Sequence, residues 1–185
     1  PPQGRAFPLT LLTPFIPFVP LTPFVRHFTA TAFIIDSKKR TLLLWHKRLQ
    51  RWMPPGGHVD PNETPEDAAK RECKEETNLD VEIVGEPQTD LFMGNRSEGR
   101  MLCKPIAMLL ENIAPFDGAQ GVPPVAAHQH MDFLFIAKPI DESQAITLEQ
   151  TESDRMQWFT RVEIEKLGEG EIFSNVKRYI LFVLK

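Results

Sequence analysis

The sequence predicts an α/β fold in which a mixed β-sheet lies between helices. Short runs rich in β-branched and aromatic residues recur along the chain, one well-capped helical segment follows the first of them, and a second amphipathic segment closes the chain. Strands that alternate with a few helices favour a sheet with helices on both faces. The chain has 185 residues, of which 42% are apolar and 25% charged, as expected for one globular domain.

The N-terminal residues differ in composition from the rest of the chain. Four prolines between Pro14 and Pro23 recur every third residue, which is the period of a polyproline II helix. Residues 7–25 carry no charge and are numerous enough to cross a membrane, but their prolines lack the amide donors that a membrane helix must satisfy. We therefore expect no membrane span, a poorly ordered or partner-docking arm over residues 1–25, and one domain over residues 26–185.

The domain begins with two apolar runs at residues 28–36 and 41–46, separated by a short polar segment. Two such runs around a polar turn predict a β-hairpin. A loop with adjacent prolines and glycines follows at residues 52–57, where these residue types are unfavourable inside regular structure. A short strand is predicted after it, at residues 58–60.

Residues 65–77 carry the strongest helical signals in the chain. Thr64 is a favourable N-cap, Pro65 suits the first helical position, and Asp67 occupies the position of a reciprocal capping acid. Asn78 tolerates the left-handed conformation that ends many helices. We therefore predict a helix of about three and a half turns between these caps.

The second half of the chain is predicted to complete the sheet. Strands are expected at residues 80–84, 101–110, 128–137 and 155–159. A loop rich in glycine, proline and alanine is expected at residues 118–127. Ser174 is placed to cap a closing helix with apolar residues at helical spacing.

Three glutamates share one face of the predicted helix. Glu75 and Glu76 follow Glu72 by three and four residues. All three lie in the last turns, where the helix dipole disfavours negative charge by up to about 1 kcal/mol. Solvation and weak ion pairs, such as Arg71 with Glu75, are the ordinary explanation. A bound Mg²⁺ or Mn²⁺ is the alternative, because both cations take carboxylate and carbonyl oxygens and bridge to substrate phosphates.

The spacing of these acids resembles the signature of the Nudix hydrolase family. The resemblance is carried by the string Gly57-x5-Glu63-x7-Arg71-Glu72-Cys73-x-Glu75-Glu76-x-Asn78-Leu79. Six signature residues match, and Asn78 replaces the usual glycine, a change that the left-handed conformation tolerates. The resemblance implies a Nudix-type α/β/α sandwich with a mixed β-sheet between helices.

The resemblance also implies an activity, which is hydrolysis by water of the diphosphate linkage in a nucleoside diphosphate attached to another group. It implies that Glu72, Glu75 and Glu76 are catalytic residues that bind Mg²⁺ or Mn²⁺, with the carbonyl of Gly56 as a further ligand. The expected partner is therefore a small nucleotide-like substrate.

Other signature positions have supporting roles by the same resemblance. Gly57, Glu63 and Arg71 are expected to order the loop and the helix rather than to take part in the chemistry. The general base is either Glu72, on the helix, or Glu152, on a loop before the last predicted strand. Glu152 is equally well explained as a solvated loop acid.

Basic and aromatic residues before the glycine pair are candidates for substrate binding. Lys47, Arg48 and Arg51 can hold an outer phosphate through charge-assisted hydrogen bonds, or they simply solvate the loop. Aromatic residues can stack on a nucleobase, although isolated ones more often belong to the core. The stacking candidates are Trp52, Phe92 and Phe133.

A second candidate site lies on the predicted strand at residues 128–137. His128, His130 and Asp132 alternate along it, so they share one face, where they can ligate a transition metal or line the substrate cleft. Ordinary hydrogen bonding of the histidines is the simpler explanation. Two alternative functions follow, namely a catalytically idle nucleotide-binding module and a hydrolase that uses this second site.

Charge and cysteine content exclude other classes of function. The 21 Lys and Arg against 25 Asp and Glu give a formal net charge of -4, so a long nucleic acid is not the expected ligand. Cys73 and Cys103 form no C-x-x-C pair, which predicts reduced thiols and a cytoplasmic location. The sequence is equally compatible with a monomer and with a homodimer.

Overall fold

The computed structural model describes residues 25–86, 88, 97–115 and 126–185. The strands are β1 (Arg26–Ile34), β2 (Arg40–His46), β3 (Arg51–Met53), β4 (Gly56–His58), β5 (Val81–Val84), β6 (Ala107–Ile113), β7 (His128–Pro139) and β8 (Ser153–Thr160). The helices are α1 (Pro65–Thr77), α2 (Arg161–Lys166) and α3 (Ser174–Val183). None of these helices is long and apolar enough to cross a membrane. Residues 1–24, Phe92 and most of the predicted loop at residues 118–127 lie outside the described residues.

Strand β7 lies at the centre of a five-stranded mixed sheet. One edge of β7 pairs in parallel with β1, from Gln129 opposite Arg26 to Ala137 opposite Ile34. The other edge pairs antiparallel with β6 and then, nearer the end of β7, with β5. Strand β4 adds antiparallel to the free edge of β1. The predicted mixed sheet is confirmed.

A second, antiparallel sheet has the strand order β3-β2-β8. The predicted hairpin of residues 28–36 and 41–46 is therefore wrong, because β1 and β2 belong to different sheets and share only an isolated bridge between Ile35 and Thr41. Phe33 of β1 and Leu43 of β2 pack in the same hydrophobic core, so the two strands meet face to face and not edge to edge. The polar turn carries the chain from one sheet to the other.

Two cores hold the layers together. In the first, α1 places Ala68, Ala69 and Cys73 against the face of the five-stranded sheet that carries Ala32 and Phe135. The second core fills the opposite face and joins both sheets to α2 and α3. Helices therefore cover both faces of the mixed sheet, in agreement with the predicted α/β/α class.

Helix α1 has the bounds that its caps predict. The Thr64 hydroxyl oxygen accepts a hydrogen bond from the backbone amide of Asp67, and Asn78 ends the helix in the left-handed conformation with φ 60°. Lys74 and Asp67 form the ion pairs expected of exposed helix residues, with Asp80 and Lys70 respectively. Local sequence is thus sufficient to place this helix.

Several strand boundaries differ from the predicted ones. The glycine pair lies inside β4 and not in a loop before it. Only a residue without a side chain fits at Gly56, since a Cβ atom there would fall 2.6 Å from the carbonyl oxygen of Ala30 on β1. Strand β6 begins only at Ala107, after Pro105, which has no amide to donate to a ladder. Helix α3 begins at Ser174, but Phe173 occupies the N-cap position and makes no side-chain cap bond.

Candidate active site

The C-terminal half of α1 lies beside the glycine pair of β4. The backbone amide of Gly56 donates a hydrogen bond to Glu76 Oε2 at 3.0 Å. The carboxylate of Glu72 occupies the space beside Gly57, where an added Cβ atom would fall 2.4 Å from Glu72 Oε1. The absence of a side chain at Gly57 therefore makes room for the Glu72 carboxylate, whereas its absence at Gly56 lets β4 lie close to β1.

The Arg71 guanidinium forms ion pairs with most of the acidic residues near β4. Its Nε and Nη2 atoms donate to the two oxygens of Glu63, each at 3.0 Å. Its Nη1 atom donates to Glu72 at 2.8 Å and to Glu75 at 2.9 Å, and Nη2 also reaches the carbonyl of His58 at 2.8 Å. One guanidinium thus fixes the loop after β4 against the helix.

Burial disfavours negative charge on two of the three glutamates. Burial, opposed by the hydrogen bond from the Gly56 amide and reinforced by the charges of Glu72 and Glu152, raises the pKa of Glu76 to about 8. Burial also raises the pKa of Glu72, although the Arg71 guanidinium opposes it. Arg71 pairs with the other acids and lowers the pKa of Glu63.

A hard divalent cation fits this set of donors. In the described part of the chain, the hydrogen bond to the Glu76 carboxylate comes from a neutral amide and not from a cationic side chain. The carboxylates of Glu72 and Glu76 are desolvated, while that of Glu75 is 56% exposed. Clustered carboxylate oxygens of this kind are the ligands that Mg²⁺ and Mn²⁺ prefer.

Glu152 lies close to the same acids, although it is next to a strand of the three-stranded sheet. It immediately precedes β8, its side chain is 70% exposed, and its Oε2 atom is 3.7 Å from His46 Nε2. Its negative charge contributes to the raised pKa of both Glu72 and Glu76. The helix candidate and the loop candidate for the general base are therefore brought together.

The predicted basic residues do not form one group. The Lys47 ammonium donates to the carbonyl of Gln150 and its amide to the carbonyl of Glu152, so it anchors the loop before β8. The charge of Arg48 lowers the pKa of His46 and His130, which places Arg48 near both rings. Arg51 lies instead on β3, with its guanidinium 5.5 Å from the ring of Phe173.

The prediction that Trp52 stacks on a nucleobase is wrong. Its side chain is only 6% exposed and packs in the core between the sheets. The ring makes edge contacts with Trp45 and Phe159, at centroid distances of 5.4 and 4.8 Å. Phe133 likewise packs against the α1 core, with its ring 5.9 Å from that of Phe28.

The histidines of β7 belong to a larger cluster than the sequence predicts. His128 Nε2 lies 2.9 Å from His130 Nε2, and the rings of His27 and His58 lie within 6.1 and 5.0 Å of the His130 ring. The inclusion of Asp132 in this group is wrong, because its carboxylate is buried farther along the strand and accepts a hydrogen bond from Thr31 at 2.9 Å.

Sequence reasoning missed His27 and His58 because strand pairing, not sequence distance, brings them to β7. His27 lies directly opposite His130 in the parallel β1–β7 ladder, and His58 lies opposite Thr29 in the β1–β4 ladder. The alternation of His27, Thr29 and Thr31 along β1 was the available signal. Without the register of both ladders, that signal identifies no partner.

Comparisons with known proteins find similar sequences and structures. A model of the NUDIX domain matches residues 25–177. An RNA pyrophosphohydrolase from Marinomonas sp. (strain MWYL1) is 45% identical over 74 residues, which are 37% of this chain and 45% of that protein. A putative 8-oxo-dGTP diphosphatase from Bacillus subtilis (strain 168) is 40% identical over 58 residues, which are 30% of this chain and 39% of that protein. The matches thus span less than half the length of either relative.

A solved structure extends the similarity to nearly the whole chain. A hydrolase of the NUDIX family from Clostridium perfringens superposes with a TM-score of 0.69 and 28% identity, over 86% of this chain and 97% of that one. The MutT protein from Methanosarcina mazei Go1 superposes with a TM-score of 0.55 at 15% identity, over 88% and 94% of the two chains. The second similarity concerns the fold alone.

Proposed function

This chain belongs to the Nudix family, and from that premise we propose that it uses Mg²⁺ or Mn²⁺ to hydrolyse a diphosphate linkage in a nucleoside diphosphate-linked substrate. The observation that carries the proposal is the pair of desolvated carboxylates, Glu72 and Glu76, beside the glycines of β4. Burial raises the pKa of both carboxyl groups, and a bound cation would favour their ionised form.

The proposed ligands of the cation are Glu72, Glu75 and Glu76, together with the backbone carbonyl of Gly56. When bound there, the ion neutralises the diphosphate oxygens and lowers the pKa of the attacking water. The ordered arrangement of the acids depends on Arg71, which holds Glu72 and Glu75 from one side and Glu63 from the other. Gly57, Glu63 and Arg71 are therefore proposed as positioning residues.

The proton of the attacking water needs an acceptor among the same acids. Glu72 Oε1 is paired with Arg71, so its other oxygen can take the proton while the first keeps its partner. The side chain of Glu152 is 70% exposed, so it can exchange the proton with solvent. We propose Glu72 or Glu152 as the base. Glu152→Gln distinguishes the two, since wild-type turnover in that variant would leave Glu72 as the base.

Recognition of the substrate involves positive charge near the histidine cluster. Arg48 lies close enough to influence His46 and His130, so it is the basic residue that we propose for an outer phosphate. His128 and His130 are proposed to line the same cleft. Lys47 contributes by holding the loop that carries Glu152.

Both Cys73 and Cys103 are free thiols, which supports a cytoplasmic location.

The test is a substrate screen with the full chain after removal of metal by EDTA. The substrates are dinucleoside polyphosphates, nucleotide sugars, ADP-ribose, oxidised nucleoside triphosphates including 8-oxo-dGTP, and an RNA oligonucleotide with a 5′-triphosphate. Each is incubated with wild type and with Glu76→Gln, without metal and with Mg²⁺, Mn²⁺ or Zn²⁺, in water enriched in ¹⁸O. We expect metal-dependent turnover of a small nucleotide, with the label in a product phosphate.

The same screen examines the alternative functions. Nucleotide binding without turnover under all metal conditions would identify an idle binding module and would overturn the proposal. Turnover that requires zinc and persists in Glu76→Gln would assign the chemistry to the histidine cluster. Turnover restricted to the RNA oligonucleotide would contradict the expectation of a small substrate, which rests on the net charge of -4.

A further inference from the structure

Four histidines from three strands meet at one end of the five-stranded sheet. His27 lies on β1, His58 on β4, and His128 and His130 on β7. The rings form a continuous group in which neighbouring centroids are 4.8 to 5.1 Å apart. The carboxylates of α1 lie nearby, since His58 follows Gly57 directly and its carbonyl accepts a hydrogen bond from Arg71 at 2.8 Å.

The ring nitrogens are close enough to share one ion. One ring nitrogen from each of His27, His58 and His130 lies within 4.8 Å of the other two. The distance between His27 Nδ1 and His58 Nε2 is 3.0 Å. A tetrahedral Zn²⁺ ion with Zn–N bonds of about 2.0–2.1 Å holds neighbouring nitrogens about 3.3 Å apart, so small adjustments of the rings are sufficient.

The tautomer of His128 supports the same interpretation. Its Nδ1 atom lies 2.8 Å from the carbonyl oxygen of Ala126, and a carbonyl can only accept, so Nδ1 carries the proton. The lone pair of His128 is then on Nε2, 2.9 Å from His130 Nε2. Histidines that bind metals commonly donate their other ring N–H to a backbone carbonyl in this way.

We propose that His27, His58 and His130 bind one Zn²⁺ or similar borderline transition-metal ion, with the Nε2 lone pair of His128 available as a fourth nitrogen ligand. Neutral imidazoles suit Zn²⁺, Ni²⁺, Co²⁺ and Cu²⁺, whereas Mg²⁺ prefers oxygen. The ion links β1, β4 and β7 and so stabilises this end of the five-stranded sheet. The proposal does not depend on the proposed hydrolysis.

The experiment measures Zn²⁺ binding by the full chain, purified without a polyhistidine tag and freed of metal. Calorimetric titration is performed with Zn²⁺ in a large excess of Mg²⁺, which occupies the carboxylates of α1. Wild type and Glu76→Gln are expected to bind one equivalent of Zn²⁺, since Glu76 is not a ligand of this site. Co²⁺ is expected to bind with the visible absorption of a tetrahedral, nitrogen-ligated ion.

Three variants locate the site. His27→Gln and His130→Gln are expected to weaken Zn²⁺ binding at least about tenfold. His46→Gln, which changes a histidine outside the cluster, is expected to retain it. Unchanged thermal melting of the metal-free variants shows that they fold. The proposal would be overturned if wild type bound no stoichiometric Zn²⁺, or if both cluster variants bound Zn²⁺ as tightly as wild type. Loss of Zn²⁺ binding in Glu76→Gln would also overturn it. Loss of hydrolysis alone would leave it intact.

Discussion

The carboxylate of Glu72 occupies the position that a side chain on Gly57 would take, since a Cβ atom there would fall 2.4 Å from Glu72 Oε1. The backbone of Gly57 has no positive φ, so alanine is compatible with its conformation. We expect Gly57→Ala to displace the flexible end of Glu72 without unfolding the chain. The predicted loss in kcat/KM is about tenfold or more, measured with the substrate that the screen identifies.

Two other glycines serve as controls for that substitution. Gly56→Ala is expected to lower the melting temperature, because its Cβ atom would meet the backbone of Ala30 and Thr31 at 2.6 and 2.8 Å. Gly170→Ala is expected to change neither property, because nothing lies within 4 Å of its Cβ position. Equal activity of wild type and Gly57→Ala would contradict the proposed placement of Glu72.

Glu76→Gln is expected to lower kcat at least about a hundredfold while the fold is retained. The amide of glutamine can still accept the hydrogen bond from Gly56, but it removes a negative charge from the proposed cation site. Glu82→Gln on β5 changes an exposed glutamate by the same atoms and is the matched control. Steady-state kinetics over a range of Mg²⁺ concentrations separate weaker metal binding from slower chemistry, and wild-type turnover would refute the assignment.

Arg71→Ala is expected to destabilise the fold by about 2 to 4 kcal/mol, because it leaves Glu63, Glu72 and Glu75 without their common partner. Arg71→Lys retains the charge but cannot reach all three acids, so an intermediate loss is expected. Urea unfolding measures both variants. Arg161→Ala removes an exposed arginine that pairs with Glu165 and is expected to cost under about 1 kcal/mol. Equal stability of the Arg71 and Arg161 variants would contradict the central role of Arg71.

The contribution of Glu76 to the stability of the metal-free chain is expected to fall as the pH rises from 5 to 8.5. The pKa of Glu76 is raised from 4.5 to about 8 in the folded chain. A raised pKa means that the stabilising contribution is complete below the unfolded value and is lost as the pH rises through the folded one. Melting temperatures measured in EDTA at several pH values test this pH dependence.

Glu76→Gln is the reference for the pH experiment, because the other titrating groups cancel in the difference between variant and wild type. We expect the difference in melting temperature to change by about 2 °C or more across this pH range. Saturating Mg²⁺ is expected to weaken the pH dependence of the wild-type melting temperature that Glu76 causes, since a bound cation favours the ionised carboxylate. A pH-independent difference in EDTA would show that Glu76 is ionised throughout.

Local sequence accounts for the elements whose determinants are close together in the chain. Helix α1 could be bounded from Thr64 and Asn78 alone, and its three glutamates share a face because of helical spacing. The capping box of α2, formed by Thr160 and Glu163, is an equally local signal. The proposed carboxylate site follows largely from these short-range patterns.

Long-range pairing accounts for what the sequence could not predict. The segment from β1 to β2 has the pattern of a hairpin, yet burial of Phe33 and Leu43 in a common core places the strands in different sheets. The histidine cluster depends on the parallel register that sets His27 opposite His130, over one hundred residues away. Trp52 has a side chain suited to stacking, and only the tertiary packing shows that it is inside.

The transfer of the chain between sheets after β1 separates the two candidates for the general base. Glu72 is attached to a helix that packs on the five-stranded sheet, whereas Glu152 precedes a strand of the three-stranded sheet. The loop that carries Glu152 is tied to both layers by backbone hydrogen bonds, since the Glu149 amide donates to the Glu76 carbonyl at 3.0 Å and the Lys47 amide donates to the Glu152 carbonyl at 2.8 Å. A residue inserted between Glu149 and Glu152 would therefore move one candidate base away from the other, while α1 and the strands keep their pairing.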